Sequence, residues 1–352
     1  MITLAHGNLL DADVEALVNT VNCVGVMGKG IALQFKKAFP DNFKAYERAC
    51  KRREVRLGSM FVFATGALRN PRFLVNFPTK QDWRSKSGLE DIRAGLTALV
   101  AEIRARGIRS VAVPPLGCGH GGLQWEDVRP VIEDALAELP DVDVRLYAPG
   151  ATPAPAEQRV GTKAPNMTPG RAAIVQLMVR YAAFDYRATQ LEIQKLAYFL
   201  QEAGEPLRLT FKAHHYGPYA DVLHKVLETM EGHFTRGFQG DRSPDTEIEV
   251  LAAGKQLADE HLAANPHTGE RLERVARLIE GFETPYGLEL LATVHWLVTH
   301  QPEGQRDLGG VLAGLQGWSR RKGDLFTEHH VRVALERLTS EGWISGGDSE
   351  RA

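Results

Sequence analysis

The sequence predicts an α/β domain, with a mixed, mostly parallel sheet flanked by helices, followed by a mainly helical second domain. Three observations carry this. Up to about residue 150, short strand-like runs alternate with amphipathic helical ones; a proline-rich stretch then breaks all periodicity; beyond it, helical spacing dominates. Alternating β and α segments bury a parallel sheet under helices on both faces. The chain's 352 residues also exceed what one compact domain usually holds, at ~100–200 residues per domain.

In chain order, β-branched and aromatic runs predict strands at 15–21, 60–65, 73–77, 110–113 and 142–147. Between them, apolar residues at three- and four-residue spacing predict helices at 31–39, 42–53, 89–106 and 127–139, with Gly107 as the C-cap of the third. Residues 148–169 hold five prolines and almost no large apolar side chain. Proline fixes φ and removes a donor, and small side chains bury nothing, so an extended linker is expected at 151–169, separating domains 1–150 and 170–352. Helices are then expected at 172–181, 191–202, 219–230, 255–264, 269–282, 287–300 and 331–342, with β-like pieces at 208–213 and 247–250. No internal repeat is visible.

Hydrophobic content of 43% and charged content of 24% exclude a wholly disordered or coiled-coil chain. Cys23, Cys50 and Cys118 are far apart in sequence and lack C-x-x-C spacing, which supports neither a disulfide framework nor a cysteine-rich zinc site. The doublets His214-His215 and His329-His330 lack companions at a metal-ligand spacing, so neither a metal nor a cofactor is expected. The N-terminus has no signal-peptide pattern and no run of ~18 apolar residues occurs, so a cytoplasmic chain without membrane association is expected. The net charge of −2 divides unevenly: residues 1–150 hold 20 Lys and Arg against 17 Asp and Glu, the remainder 22 against 27. The first half concentrates Arg48, Lys51, Arg52, Arg53 and Arg56, which are either a solvated helix face or a patch for an anionic partner.

Two glycine-rich segments follow strands and open helices. The first, Asn19-Thr20-Val21-Asn22-Cys23-Val24-Gly25-Val26-Met27-Gly28-Lys29-Gly30-Ile31, is not a Walker loop, because no Ser or Thr follows the Lys-Gly pair and the upstream glycine is misplaced. The second, Pro114-Pro115-Leu116-Gly117-Cys118-Gly119-His120-Gly121-Gly122-Leu123, formally satisfies G-x-G-x-x-G, yet too few βα units follow it for a dinucleotide fold. What both share is physical: backbone that approaches a ligand closely and helix N-termini that favour phosphate, so a pyrophosphate can sit between them.

These segments, with Pro78-Thr79-Lys80 between them, resemble the macrodomain pattern that binds ADP-ribose, and within it the branch of terminal ADP-ribose glycohydrolase and the bacterial DarG antitoxins. The resemblance covers about 150 residues. Beyond the linker, Leu191-Glu192-Ile193-Gln194-Lys195-Leu196-Ala197-Tyr198-Phe199-Leu200 and Gly217-Pro218 are similar to the SocA-like antitoxin domains that, in DarG antitoxins, bind the DarT toxin, an enzyme that attaches ADP-ribose to thymine in single-stranded DNA.

The resemblance implies that Lys80 is the catalytic lysine, acting either as a nucleophile whose pKa is lowered by burial or nearby cations, or as a cation that stabilises the departing thymine. It implies ADP-ribose contacts from Gly7, Asn8 and Leu9; from Asn22, which would orient the distal ribose; from Met27, Gly28, Lys29, Gly30, Ile31 and Thr79; and from Gly117, Cys118, Gly119, His120, Gly121, Gly122 and Leu123. Asn8 stands where many macrodomains place an aspartate for the adenine amine; an amide oxygen also accepts that bond. Where the terminal glycohydrolase has an aspartate after Gly-Cys-Gly, this chain has Gly121, which leaves Lys80 alone or with His120. The activity implied is hydrolysis of ADP-ribose from thymidine bases of DNA, with Arg69, Arg72, Arg84 and Lys86 near the strand's phosphates and residues 170–352 neutralising the toxin. A non-catalytic ADP-ribose reader and a protein ADP-ribosyl-ester hydrolase are the alternatives.

Overall fold

A computed structural model describes residues 1–150, 159–182, 188–238, 240, 246–302 and 305–345. The chain divides into two compact units, one built on Met1–Lys163 and the other on residues from Ala164 onward. Of the expected linker, residues 151–158 lie outside the described residues. Residues beyond them stay on the first unit as far as Gly161, whose N–H donates to Lys37 O at 2.8 Å.

The first unit runs β1 (Ile2–Ala5), β2 (Ala16–Asn22), α1 (Gly30–Ala38), α2 (Pro40–Lys51), β3 (Phe61–Ala64), β4 (Phe73–Lys80), α3 (Leu89–Arg106), β5 (Ser110–Val113), α4 (Trp125–Leu136) and β6 (Asp143–Tyr147). The sheet order is β1-β6-β5-β2-β4-β3. Every pairing is parallel except β3 with β4. The mixed, mostly parallel sheet is as the sequence predicts; β1, a short edge strand, is not in the predicted set.

Alternation along the strands explains the two-faced core. In β2, Ala16 and Val18 join Val75, Phe77, Leu96 and Val111 beneath α3 and α4. Leu17 points the other way, to Leu74, Phe35 and Tyr147. Strands buried on both faces read as continuous apolar runs, which is why 15–21 and 73–77 were legible. Gly107 adopts φ 62° and caps α3, its N–H turned back to Arg104 O and Ile103 O, as expected.

The second unit comprises α5 (Pro169–Ala182), α6 (Gln190–Glu202), β7 (Lys212–His214), β8 (Gly217–Tyr219), α7 (Asp221–Met230), β9 (Thr235–Arg236), β10 (Glu249–Val250), α8 (Ala252–Ala263), α9 (Pro266–Ile279), α10 (Pro285–His300), α11 (Leu308–Trp318), α12 (Arg320–Leu325) and α13 (Glu328–Ser340). A capping box, Thr189 with Glu192, starts α6. Helices α6 and α10 are buried along most of their length and form the unit's centre. There Lys322, fully buried, donates to Glu289 Oε1 at 2.6 Å and to Thr293 Oγ1 at 3.1 Å, and Arg321 forks onto the same carboxylate at 2.7 and 3.1 Å. Helices α11 and α12 were not predicted. Gly309, Gly310, Gly314 and Gly317 depress the local helix propensity of α11. Packing and the Asp307 cap, which accepts from Gly310 N–H at 2.8 Å, hold it. No helix among the described residues is long and apolar enough to cross a membrane.

Candidate active site

Strand β2 lies between β4 and β5, and all three point the same way. The chain leaves β2 toward the β4 side and leaves β5 toward β6. Ligands of open α/β sheets sit beyond the carboxyl ends of the strands at such a divergence. Both glycine-rich segments emerge there: residues 23–29 after β2 and residues 114–124 after β5.

Lys80 ends β4 directly opposite Asn22. The ladder pairs Val21 with Pro78 and Asn22 with Lys80, so Thr79 is an extra residue on β4. Pro78 has no N–H for the ladder, and a one-residue bulge re-aims the side chain after it. Thr79 is 4% exposed, with its hydroxyl 3.4 Å from Val21 O. Lys80 emerges half-buried, and its Nζ donates to His120 O at 3.2 Å. Burial, then the charges of Lys86 and Lys29, hold its pKa below the ordinary lysine value, against a smaller opposing pull from Asp82.

The first loop is shaped by Asn22. Its Oδ1 accepts from Val24 N–H at 3.0 Å and Val26 N–H at 3.3 Å, while its amide donates to Val26 O at 2.6 Å. The Tyr46 hydroxyl lies 2.6 Å from Asn22 O. The side chain expected to orient a ribose is thus used to fold the loop that would surround one. Asn19 is farther inside: it donates to Asn76 Oδ1 at 3.0 Å, and Asn76 in turn donates to Asn42 at 2.8 Å. Met27, 1% exposed, packs with Val21, Tyr46 and Val55, and Leu9, 4% exposed, packs with Val14 and Leu17, so both side chains belong to the core. Ile31 packs half-buried against the same core as Leu9. Gly28, exposed Lys29 and Gly30 remain at the loop's end, where Lys29 caps α1 without a side-chain bond. The first amides of α1 are therefore available to an anion.

The second loop folds on itself: Cys118 N–H donates to Pro115 O, Gly122 N–H to Gly119 O and Leu123 N–H to Gly117 O, at 3.1, 3.0 and 3.1 Å. Gly121 admits no side chain, because a Cβ there would lie 2.3 Å from Gly117 O and 2.4 Å from Ser87 Oγ. The carboxylate that the resemblance places at this position is excluded sterically as well as by sequence. The two loops meet through His120, whose ring would be 3.6 Å from a Cβ on Gly30. His120 thus reaches Lys80 with its carbonyl and the first loop with its ring. Burial pushes the Cys118 thiol up to about 11, with Glu126 adding to it, so it is not a thiolate nucleophile.

Beyond β1, at the same end of the sheet, Asn8 Oδ1 accepts from Leu10 N–H at 3.1 Å and its amide donates to Asp11 at 2.8 Å. Asn8 therefore caps the turn after exposed Gly7 and presents an acidic neighbour, Asp11, which sequence reasoning missed. It also missed the segment after Lys80 as part of the loop system. Gln81 O accepts from Cys23 N–H at 3.1 Å and Ser87 N–H donates to Gly121 O at 3.0 Å, pinning this segment to both loops. Lys86 Nζ would be 3.1 Å from a Cβ on Gly122. No sequence spacing signals that contact.

The macro domain family profile matches residues 18–132, from β2 into α4. The chain is 48% identical over 343 residues to a DNA ADP-ribosyl glycohydrolase of Thermus aquaticus, covering 97% of this chain and 94% of that protein. It is 46% identical over 355 residues to one of Mycobacterium tuberculosis, covering 96% of this chain and 99% of that protein. A DNA ADP-ribosyl transferase-DNA ADP-ribosyl glycohydrolase fusion protein of Thermosipho africanus is 33% identical over 163 residues, covering 42% of each chain. The first two matches run through both units rather than the first alone, and with nearly complete coverage on both sides they show that the chain belongs to the DNA ADP-ribosyl glycohydrolase family.

Proposed function

We propose that the protein hydrolyses the bond between ADP-ribose and a thymidine base of single-stranded DNA, with Lys80 as the catalytic residue. The observation that carries this is the placement of Lys80: half-buried at the carboxyl end of β4, opposite Asn22, with its Nζ 3.2 Å from His120 O and Lys29 and Lys86 near enough to shift its pKa. The α1 amides with Gly28, Lys29 and Gly30 on one side and Gly117–Leu123 on the other hold the diphosphate, and Asn8 with Asp11 accepts the adenine amine.

Heterolysis of the bond from the anomeric carbon to the base nitrogen sends the electron pair to thymine and leaves an oxocarbenium-like ribose. The Lys80 ammonium stabilises that anion and gives it a proton; water adds to the anomeric carbon and loses a proton to solvent. Because Gly121 excludes a carboxylate, the cation is the group left to assist departure. A second reading rests on the lowered pKa, which favours a neutral amine able to attack the anomeric carbon. The bond to thymine then breaks with its electron pair, the base takes the proton lost by the lysine nitrogen, and water hydrolyses the lysine–ribose bond to free the amine and ADP-ribose. Lys80→Ala on an ADP-ribosylated oligonucleotide tests the assignment: unchanged release of ADP-ribose overturns it, and release from ester-linked protein but not from DNA replaces the substrate.

The second unit, from α5 onward, binds and neutralises the cognate ADP-ribosyltransferase. The Thermosipho africanus relative, which joins a transferase and a glycohydrolase in one chain, supports this pairing. Co-purification of the full chain with that transferase is expected, and it persists in Lys80→Ala; absence of any complex removes the partner.

A further inference from the structure

Among the described residues of the first unit, six large apolar side chains are markedly exposed: Met1, Leu4, Val24, Val26, Leu68 and Trp83. Three of them, Val24, Val26 and Trp83, sit on the first loop and on the segment after Lys80, so they border the site itself. Scattered exposed apolar groups need no explanation, but a cluster at the mouth of a polar site does. Trp83 is 46% exposed although the Arg84 guanidinium stacks 4.6 Å from its ring centroid. Arg84 covers one face, so the exposure falls on the remainder of the ring. The backbone that carries the indole is pinned: Gln81 O accepts from Cys23 N–H, Arg84 N–H donates to Asp82 Oδ1 at 2.9 Å, Ser85 N–H to Asp82 O at 3.1 Å, and Ser87 N–H to Gly121 O. An exposed aromatic ring backed by Arg84 on a pinned segment, three residues from both Lys80 and Lys86 in sequence, has the composition of a single-strand binding surface, where bases stack on aromatics and cations meet the backbone.

We propose that Trp83 is a stacking platform for the nucleobase next to the modified thymidine, with Arg84 and Lys86 on the adjoining phosphates. This rests on the DNA glycohydrolase reading above and adds to it the element that selects an unpaired strand. A base in a duplex is already paired and stacked on its neighbours, so the platform engages single strands and leaves duplex DNA unfavoured. It touches neither the anomeric carbon nor the departing thymine, so its contribution is to binding of the longer substrate.

The test uses the full chain with Trp83→Ala and Trp83→Phe, each assayed on ADP-ribosyl-thymidine and on an ADP-ribosylated oligonucleotide. Trp83→Ala should raise KM for the oligonucleotide by about tenfold, the order expected for one lost stacked base, while turnover of the nucleoside stays at the wild-type value and Trp83→Phe recovers most of the loss. Fluorescence anisotropy with an unmodified, labelled single strand reads the platform without hydrolysis: the wild type should prefer it to the duplex, and Trp83→Ala should lose that preference. Equal oligonucleotide KM and equal strand affinity in wild type and Trp83→Ala overturn the proposal, as does a parallel loss on nucleoside and oligonucleotide. If the wild type binds the strand through Trp83 but releases no ADP-ribose from either substrate, the hydrolase reading fails and the platform stands.

Discussion

Replacing Lys80 by alanine removes one positive charge from the carboxyl end of β4 without disturbing a fully packed side chain, since Lys80 is half-buried. A unit charge ~4 Å from a developing anion, at the effective dielectric of ~20 that suits partly buried pairs, contributes about 4 kcal/mol. At ~1.4 kcal/mol per factor of ten, kcat should fall about 10³-fold, while KM, set by the loops around the diphosphate, stays near the wild-type value. Single-turnover release of ADP-ribose from a modified oligonucleotide measures this. The pH profile then separates the two roles. If the ammonium acts, activity is full below the lysine's pKa, which burial and two cations hold under the ordinary 10.5, and falls as pH rises through it. If the neutral amine attacks, activity rises through the same range. Lys86→Ala removes a charge that presses on Lys80, so the limb should move to higher pH in either case. A Lys80→Ala enzyme within tenfold of the wild type, or a limb that Lys86→Ala leaves in place, refutes the reasoning.

Two further outcomes rest on packing. Gly121→Ala forces a Cβ to within 2.3 Å of Gly117 O and should lower stability by about 1–3 kcal/mol, whereas Gly119→Ala meets nothing within 4 Å and should leave the melting temperature nearly unchanged. Equal melting temperatures for the two variants would contradict the loop geometry. In the second unit, Lys322→Ala leaves Glu289 paired with Arg321 alone and should cost about 1.5–3 kcal/mol in chemical denaturation. Burial pushes the Glu289 carboxyl up, but Arg321 and Lys322 outweigh it and hold the pKa below the usual 4.5. Its contribution to stability is therefore present above 4.5 and is lost as pH falls through the lowered value, and that acid-side loss should shrink in Lys322→Ala.

The fold was legible where chemistry is local. Continuous apolar runs marked β2 and β4, a glycine marked the end of α3, and glycine-rich segments after strands marked both site loops. Lys80 was legible through resemblance and through its place after an apolar run. Residue type did not reveal which way side chains point. Met27 and Thr79 belong to the site by sequence position, but one packs against Tyr46 and the other lies against Val21 O. Asn22 looks like a ligand residue because its amide is versatile, and that versatility is used on Val24, Val26 and Tyr46. Helix α11 was hidden by four glycines whose cost is met by packing that has no local signature.

The second loop shows how one constraint sets the chemistry of the whole site. The tight turn at Gly121 brings two successive carbonyls into use: His120 O receives Lys80, and Gly121 O receives the N–H of Ser87. The same compaction leaves 2.3 Å between a Cβ at 121 and Gly117 O, so the turn that positions the lysine also excludes a carboxylate from beside it. A looser turn would admit an aspartate and would have to place the lysine by other means. Burial and then the charges of Lys86 and Lys29 outweigh the opposing pull of Asp82 on Lys80, so its proton is easier to give away. The turn adds no carboxylate to that of Asp82, and restoring an acid at position 121 requires rebuilding the turn rather than substituting Gly121 alone.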